Sequence, residues 1–301
     1  MAKRLVTGGT GMVGSAIEAD LKIGRKDCDL TSWVDVNSFF EQHKPEEVIH
    51  CAAKVGGIWG NMHYKGDFFR DNILMNTHVI EAARVHGVKK LVAFLSTCVF
   101  PDDVAYPLTE SKIHLGKPHT SNDAYAYAKR MTDIQIRAYK EQYDLDYVSV
   151  IPTNIYGPND LFDLKNGHVV PSLIHRCFLA REQGKDLEVW GSGTPLREFI
   201  FAEDVAKLSE WALENYQEAE PIIFSTSEET SIKDLVAMVV ELLDFKGKVN
   251  WLTDKPDGQF RKPSDNSKLK EYLPEFRYTP LYEGLQKTIA WFEANYPAIR
   301  S

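Results

Sequence analysis

The opening segment Arg4-Leu5-Val6-Thr7-Gly8-Gly9-Thr10-Gly11-Met12-Val13-Gly14 admits few folds. A β-prone apolar run passes into Gly9-x-Gly11-x-x-Gly14, and a helical pattern follows near Met12–Leu21. Glycines at this spacing permit a tight turn, close backbone approach to a ligand, and packing of the helix on the strand. Strand, glycine loop and helix in that order predict a dinucleotide diphosphate site, with Gly8, Gly9, Thr10, Gly11, Met12, Val13 and Gly14 as its cradle. The helix start favours the pyrophosphate. A glycine-rich turn without a ligand is the plainer reading of the loop alone, and its context argues against that.

The rest of the first half repeats the alternation. Strand-like runs fall at Arg4–Thr7, Glu47–Cys51, Lys90–Leu95 and Tyr147–Ile151, with helical patterns at Ser32–His43, Phe68–His86 and Asn122–Tyr143 between them. Parallel strands joined by right-handed crossovers give an α/β, Rossmann-type doubly wound sheet. The second half is less regular. Helical stretches are expected at His168–Glu182, Asp204–Glu214, Leu235–Leu243 and Leu281–Tyr296, and strands at Leu187–Trp190, Glu198–Phe201 and Ile222–Ser225. Ser231 and Asp234 resemble a capping box. With no linker or repeat, the division expected is a dinucleotide-binding domain over 1–160 with a returning segment at about 196–226. A smaller, interleaved C-terminal substrate domain takes about 161–195 and 227–301.

A chain of 301 residues with 44% hydrophobic and 26% charged residues has the composition of a globular protein with a substantial core. Its net charge of −8 argues against a general nucleic-acid or anionic-membrane surface. Cys28, Cys51, Cys98 and Cys177 show no metal-ligand spacing, so free thiols and no metal are expected. Without a signal-peptide pattern or an apolar run near the roughly 18 residues of a membrane span, the expectation is a cytoplasmic protein.

Two further patterns carry chemistry. Tyr125 and Lys129 stand four apart in a helical stretch and so share one face. An ammonium beside a phenol favours phenolate, which predicts a lowered tyrosine pKa suited to proton transfer. With 13 tyrosines in the chain, a surface pair at this spacing is unremarkable by itself. Ser96 and Cys98 follow the fourth strand, where doubly wound sheets place their sites, and in an extended segment both point the same way. Ser96 is then placed to hydrogen-bond a carbonyl oxygen beside Tyr125. At the cofactor's other end, the usual ribose-binding acid gives way to Arg25-Lys26. This pair favours a 2′-phosphate and hence NADP(H), unless both are merely solvated. Asp29 and Leu30 fit an adenine-edge contact.

These motifs, with Ala52-Ala53-Lys54-Val55-Gly56-Gly57-Ile58, Ser96-Thr97-Cys98-Val99-Phe100-Pro101 and Tyr125-Ala126-Tyr127-Ala128-Lys129-Arg130, resemble those of the extended short-chain dehydrogenases/reductases. Within that family they are similar to the enzymes that epimerise and reduce GDP-linked 4-keto-6-deoxysugars. The likeness continues through Pro152–Pro158, Gly167–Pro171, Trp190–Phe199 and Asp257-Gly258-Gln259-Phe260-Arg261-Lys262, and so spans the whole chain. The resemblance implies that Cys98 and His168 form an acid–base pair for inversion at C3 and C5. It implies that Tyr125, with Ser96 and Lys129, serves reduction at C4. Ala52, Ala53, Leu95, Pro152, Thr153, Asn154, Ile155 and His168 are implied beside NADP(H), along with Ser96, Tyr125 and Lys129. Asn154, Arg176, Trp190, Arg197, Asp257 and Lys262 are implied at the GDP-sugar. A homodimer is also implied, for which Phe68–His86 or Asn122–Tyr143 offers a long helix.

Bland readings compete with several of these. A lone strand-end cysteine is usually a small buried hydrophobe. His168 suits a helix cap as well as a catalyst, and His175 on the same helix is the natural decoy. A 4-epimerase or 4,6-dehydratase of the same superfamily is the nearest rival, although dehydratases carry an acidic pair where Cys98-Val99 stands. A non-catalytic NADP-sensing protein need not keep Cys98, Tyr125, Lys129 and His168 together. The short stretch between Gly14 and Asp29 leaves little room for a full helix and second strand, so the fold is expected to be trimmed there.

Overall fold

The computed structural model describes residues 3–300 except Pro256 and Gly258, with the side chains of Ile58 and Trp59 also outside the description. The chain begins β1 (Arg4–Thr7), α1 (Met12–Ala16), β2 (Leu21–Ile23), α2 (Trp33–His43), β3 (Glu47–His50), α3 (Ile58–His63), α4 (Lys65–Val85), β4 (Lys90–Phe94), α5 (Asp123–Tyr143) and β5 (Asp146–Pro152). It continues through β6 (Asn154–Tyr156), α6 (Val169–Gln183), β7 (Leu187–Trp190), β8 (Leu196–Phe201), α7 (Ala202–Asn215) and β9 (Ile222–Phe224). The last elements are β10 (Glu229–Ser231), α8 (Ile232–Leu242), β11 (Val249–Leu252), α9 (Ser267–Tyr272) and α10 (Leu281–Asn295).

Six strands form one parallel sheet in the order β2-β1-β3-β4-β5-β9. Successive residues face opposite layers, as the period of two requires. Leu5, Val48, Leu91 and Tyr147 pack in the core beneath α2, α4 and α5. Their neighbours Val6, Ile49, Val92 and Val148 enter the opposite core, which α7 covers. Both faces are therefore apolar, which explains the continuous hydrophobic runs of these strands. Strand order reverses at β1, whose neighbours are β2 and β3, and ligands of open α/β sheets bind at such a switch point.

The region after Gly14 is trimmed as expected, but not to nothing. α1 stops at Ala16, well short of Leu21, and a three-residue β2 still pairs with β1. Leu21-Lys22-Ile23 is too short to carry a strand signal of its own; the edge of β1 defines it. β6, β10, β11, α3 and α9 likewise escape the hydrophobic pattern, being three to six residues long.

The second half builds a separate layer. β8 pairs with β6 and, antiparallel, with β10, while β7 pairs with β11. α6, α8 and α10 cover them around Leu173, Phe199, Leu235, Val239 and Phe292. Of the returning segment near 196–226, α7 and β9 join the Rossmann layers and β8 joins the small sheet. Ser231 caps α8 by accepting from the Asp234 amide at 3.0 Å, as its spacing predicts. Among the described residues no helix is long and apolar enough to cross a membrane, and no His, Cys, Asp or Glu cluster fits a metal.

Candidate active site

The glycine loop closes on itself at the switch point. Gly9 N donates to Ile23 O and Gly11 N to Gly8 O, both at 2.9 Å. Gly8 has φ +70°, and a Cβ there would stand 2.9 Å from Ala52 Cα, so the ends of β1 and β3 meet at this residue. A Cβ on Gly14 would lie 2.3 Å from Gly8 O. Gly11 is more open: beyond Gly8 O at 3.2 Å, its nearest neighbour is the Arg300 guanidinium at 3.7 Å. A tight loop with one open glycine, beside Ala52 and Ala53, fits a dinucleotide diphosphate. Val13 points into the core, leaving its backbone alone for a ligand. With α1 only five residues long, the cradle is the loop's own N–H groups rather than a long helix dipole.

Arg25 and Lys26 are exposed on one wall of a cleft of about 400 Å³ that also takes in Asp27, Asp29 and Ser38. Neither cation makes an ion pair among the described residues, so both are available to a phosphate. Asp29 accepts from the Thr31 amide and hydroxyl at 3.0 and 2.7 Å, and these bonds hold its carboxyl below the usual range. The Leu30 side chain is buried in the core, so its contribution to an adenine contact is through the backbone.

Ser96 and Cys98 do come together, but a turn does it rather than strand alternation. β4 ends at Phe94, Ser96 caps a 3-10 turn over Thr97–Val99, and its hydroxyl accepts from the Cys98 amide at 3.4 Å. Burial pushes the Cys98 thiol up, while the Ser96 hydroxyl and the charges of Lys262, Lys129 and Arg130 pull it back down. Tyr125 packs against the same cluster as Cys98, Leu95 and Val99. Burial, then the neighbouring Cys98, raises the Tyr125 pKa. The expectation of a phenol lowered by Lys129 is therefore reversed here: desolvation of the phenolate dominates, and Lys129 is not among the groups that shift it. Lys129 is fully buried, donates to Phe94 O at 2.8 Å, and is brought down to about 8, chiefly by burial.

His168 occupies the N-cap position of α6 yet makes no side-chain cap bond, which removes the structural role open to it in the sequence. Though exposed by area, it has enough protein around it for desolvation to lower its pKa. The preceding loop is anchored by Gly57 N donating to Asn166 O at 2.6 Å. Among the described residues no hydrogen bond joins His168 to Cys98. His175, the decoy, is buried and bonded through Nδ1 to Phe162 O at 2.6 Å.

Pro152 ends β5; Leu95 N donates to Val150 O, and Thr153 N to Phe224 O. The Thr153 hydroxyl is buried without a partner, a polar atom left open at the sheet's carboxyl edge. Ile155 follows in β6, and the Asn154 amide donates to Glu198 O at 2.7 Å. Arg176 donates to Leu164 O, with its guanidinium 5.7 Å from the ring centre of an exposed Trp190. Arg197 donates to Leu196 O. Asp257 is engaged within the protein: it accepts from the Ser192 amide at 2.6 Å and hydroxyl at 2.9 Å, shaping the turn after Trp190. Lys262 is desolvated, with a lowered pKa, and lies close enough to Cys98, Asp102, Arg197 and Arg130 for their charges to act on it. Gly258, in the same motif, lies outside the described residues. Sequence reasoning passed over Arg130 and Arg300. The first was visible only as the neighbour of Lys129, and the second had no motif around it.

A family model described as the NAD dependent epimerase/dehydratase family matches residues 4–225. The chain belongs to that family. Its relatives narrow the position: a GDP-L-fucose synthase of Dictyostelium discoideum is 46% identical, over 98% of this chain and 97% of that protein. One from Escherichia coli is 34% identical, over 98% of each. The crystal structure of a GDP-L-fucose synthetase from Naegleria fowleri bound to NADP superposes with a TM-score of 0.95 at 42% identity, covering 100% of this chain and 95% of that one. Within the family, the chain falls among the GDP-L-fucose synthases.

Proposed function

We propose that this protein is an NADPH-dependent enzyme that inverts C3 and C5 of GDP-4-keto-6-deoxy-D-mannose and reduces C4, giving GDP-L-fucose. The packing of Tyr125 against the Ser96–Cys98 turn carries the reading, because it sets a proton donor and a thiol beside one reacting carbonyl.

The C4 ketone acidifies the protons at C3 and C5. One member of the Cys98/His168 pair takes such a proton while the C–H electron pair moves onto O4 as an enolate. The other returns a proton to the opposite face, inverting the centre, and both then re-equilibrate with water. Ser96 donates a hydrogen bond to O4. The nicotinamide, when bound, supplies the hydride for C4. Tyr125, protonated because its site is desolvated, gives its proton to O4, and the Lys129 ammonium stabilises the phenolate left behind. The glycine loop, Ala52, Ala53 and the β5–β6 edge from Pro152 to Ile155 hold the cofactor, with Arg25 and Lys26 on its 2′-phosphate. Arg176, Arg197 and Lys262 neutralise the diphosphate, Trp190 offers its face to the guanine, and Asn154 meets the sugar. Asp257 orders the turn beside Trp190.

Exposed Phe69 on α4, with Tyr127, Met131 and Ile134 at helical spacing on α5, supports a homodimer through these helices. Four unpaired cysteines fit the reducing cytoplasm. The test is product analysis by NMR with NADPH and the ketosugar. One NADPH consumed per sugar, with inversion at C3 and C5, is the expected result. A C4 alcohol of unchanged C3 and C5 configuration, or no NADPH oxidation, would overturn the reading.

A further inference from the structure

Arg130, next in sequence to Lys129, is buried on α5 with 5% of its surface exposed. Its Nε donates to Val99 O, the residue after Cys98, and its Nη1 donates to Gly116 O at 2.6 Å. Those two carbonyls stand at the start and near the close of one excursion of the chain, which Asp102 N also pins by donating to Lys117 O at 2.9 Å. One guanidinium therefore ties both ends of the loop to the helix that carries Tyr125 and Lys129. The Tyr127 ring lies 5.6 Å from the guanidinium carbon. The third nitrogen, Nη2, is buried and has no partner. An arginine that merely braced a loop would gain nothing from keeping a desolvated charged donor free.

We propose that Arg130 is a positioning residue for proton transfer by Cys98: it fixes the turn that presents the thiol, and it keeps a permanent positive charge beside it. The inference rests on Cys98 exchanging protons with substrate. Whether the thiol begins as acid or as base, each inversion passes through thiolate once. Burial opposes that anion, and the groups facing it are Lys262 from the C-terminal segment, Lys129, Arg130 and Tyr125 from α5, and the Ser96 hydroxyl. Burial lowers the pKa of both lysines, Lys129 to about 8, and it lowers that of Arg130 as well, but from a far higher start. Guanidinium alone stays charged under all relevant conditions, and its carbonyl bonds prevent it from swinging away.

The test compares Arg130→Met, which keeps bulk without charge, with Arg130→Lys, which keeps charge without the two-carbonyl grip. The thiolate is titrated by its ultraviolet absorbance, as the difference between each protein and its Cys98→Ser counterpart, which cancels the other three cysteines. Deuterium entry at C3 and C5 of the ketosugar and NADPH affinity are measured in parallel. Arg130→Met should raise the Cys98 pKa by about one unit and slow exchange at least tenfold, with NADPH affinity unchanged. Arg130→Lys should recover most of the pKa and only part of the exchange rate. An unchanged thiolate titration in folded Arg130→Met overturns the proposal, as does full recovery of exchange in Arg130→Lys without recovery of the pKa. If Arg130→Met does not fold, the Lys variant decides: exchange at the parent rate overturns the geometric half. Absence of exchange in the parent protein would instead overturn the proposed reaction, and the titration would still judge Arg130.

Discussion

Gly14→Ala probes the cofactor loop most directly. The added methyl carbon would sit 2.3 Å from Gly8 O and 2.8 Å from both Gly8 C and Gly9 Cα. All three are backbone atoms, so no side chain can turn aside and the loop itself must move. Overpacking of this kind costs about 1–3 kcal/mol. At roughly 2–4 °C per kcal/mol for chains of this order, the cofactor-free protein should melt about 2–12 °C lower. The shifted loop also loses the N–H geometry offered to the diphosphate, and NADPH should bind at least about tenfold more weakly, or ~1.4 kcal/mol. Gly66→Ala is the control: it adds the same methyl near the start of α4, where nothing lies within 4 Å. Helix propensity there should raise stability by about 0.5–1 kcal/mol. Thermal melts with and without NADPH, plus a fluorescence titration, read both quantities. A Gly14→Ala protein that melts and binds NADPH like its parent would refute the account of the loop.

The remaining predictions follow the same chemistry. Tyr125→Phe should lower NADPH oxidation by about 10²–10⁴, the range for losing a general acid, while C3 and C5 exchange in deuterated water persists. Cys98→Ser and His168→Gln should do the reverse, and unchanged exchange in both would remove them from the mechanism. Arg25→Ala should weaken NADPH about tenfold and NADH little, since only one carries a phosphate for it to meet; equal losses, or a parent protein that prefers NADH, would contradict the assignment. Asp160 is buried, with one carboxylate oxygen unpartnered and its pKa raised to about 7, chiefly by burial. A folded pKa above the unfolded value of 3.8 means that the folded state holds the extra proton. Its stabilising effect is complete below about pH 4 and lost as pH rises to about 7. Asp160→Asn should therefore gain on the parent by roughly 2–3 kcal/mol between pH 5 and pH 8, read by denaturant melts. Parallel pH profiles would contradict this.

The long, periodic elements were legible because each carries its own signal. α2, α5, α6 and α8 begin within about three residues of their expected starts, and Ser32 and Ser231 cap theirs through the side chain. β2, β6, β10 and β11 were not, although β1, β3, β7 and β9 are as short and were; the four missed strands all lie at sheet edges and are defined by the neighbour they join. The residues proposed for catalysis were nominated by type and order, through motif and resemblance. Their relation was misread in two places: Ser96 and Cys98 meet across a 3-10 turn, and Tyr125 is raised rather than lowered.

What the sequence determined by itself is the parallel α/β architecture and the glycine loop after β1, and it nominated the groups proposed to handle protons. Hydrophobic periodicity and glycine spacing are local, and local signals survive without coordinates. What only the tertiary structure decided is the electrostatic state of those groups. Desolvation depends on every atom that displaces water, and Lys262 reaches Cys98 from 164 positions along the chain. Arg130 is one residue from Lys129 in the sequence, but its hold on both ends of the Cys98 loop exists only once strand, turn and helix have packed together.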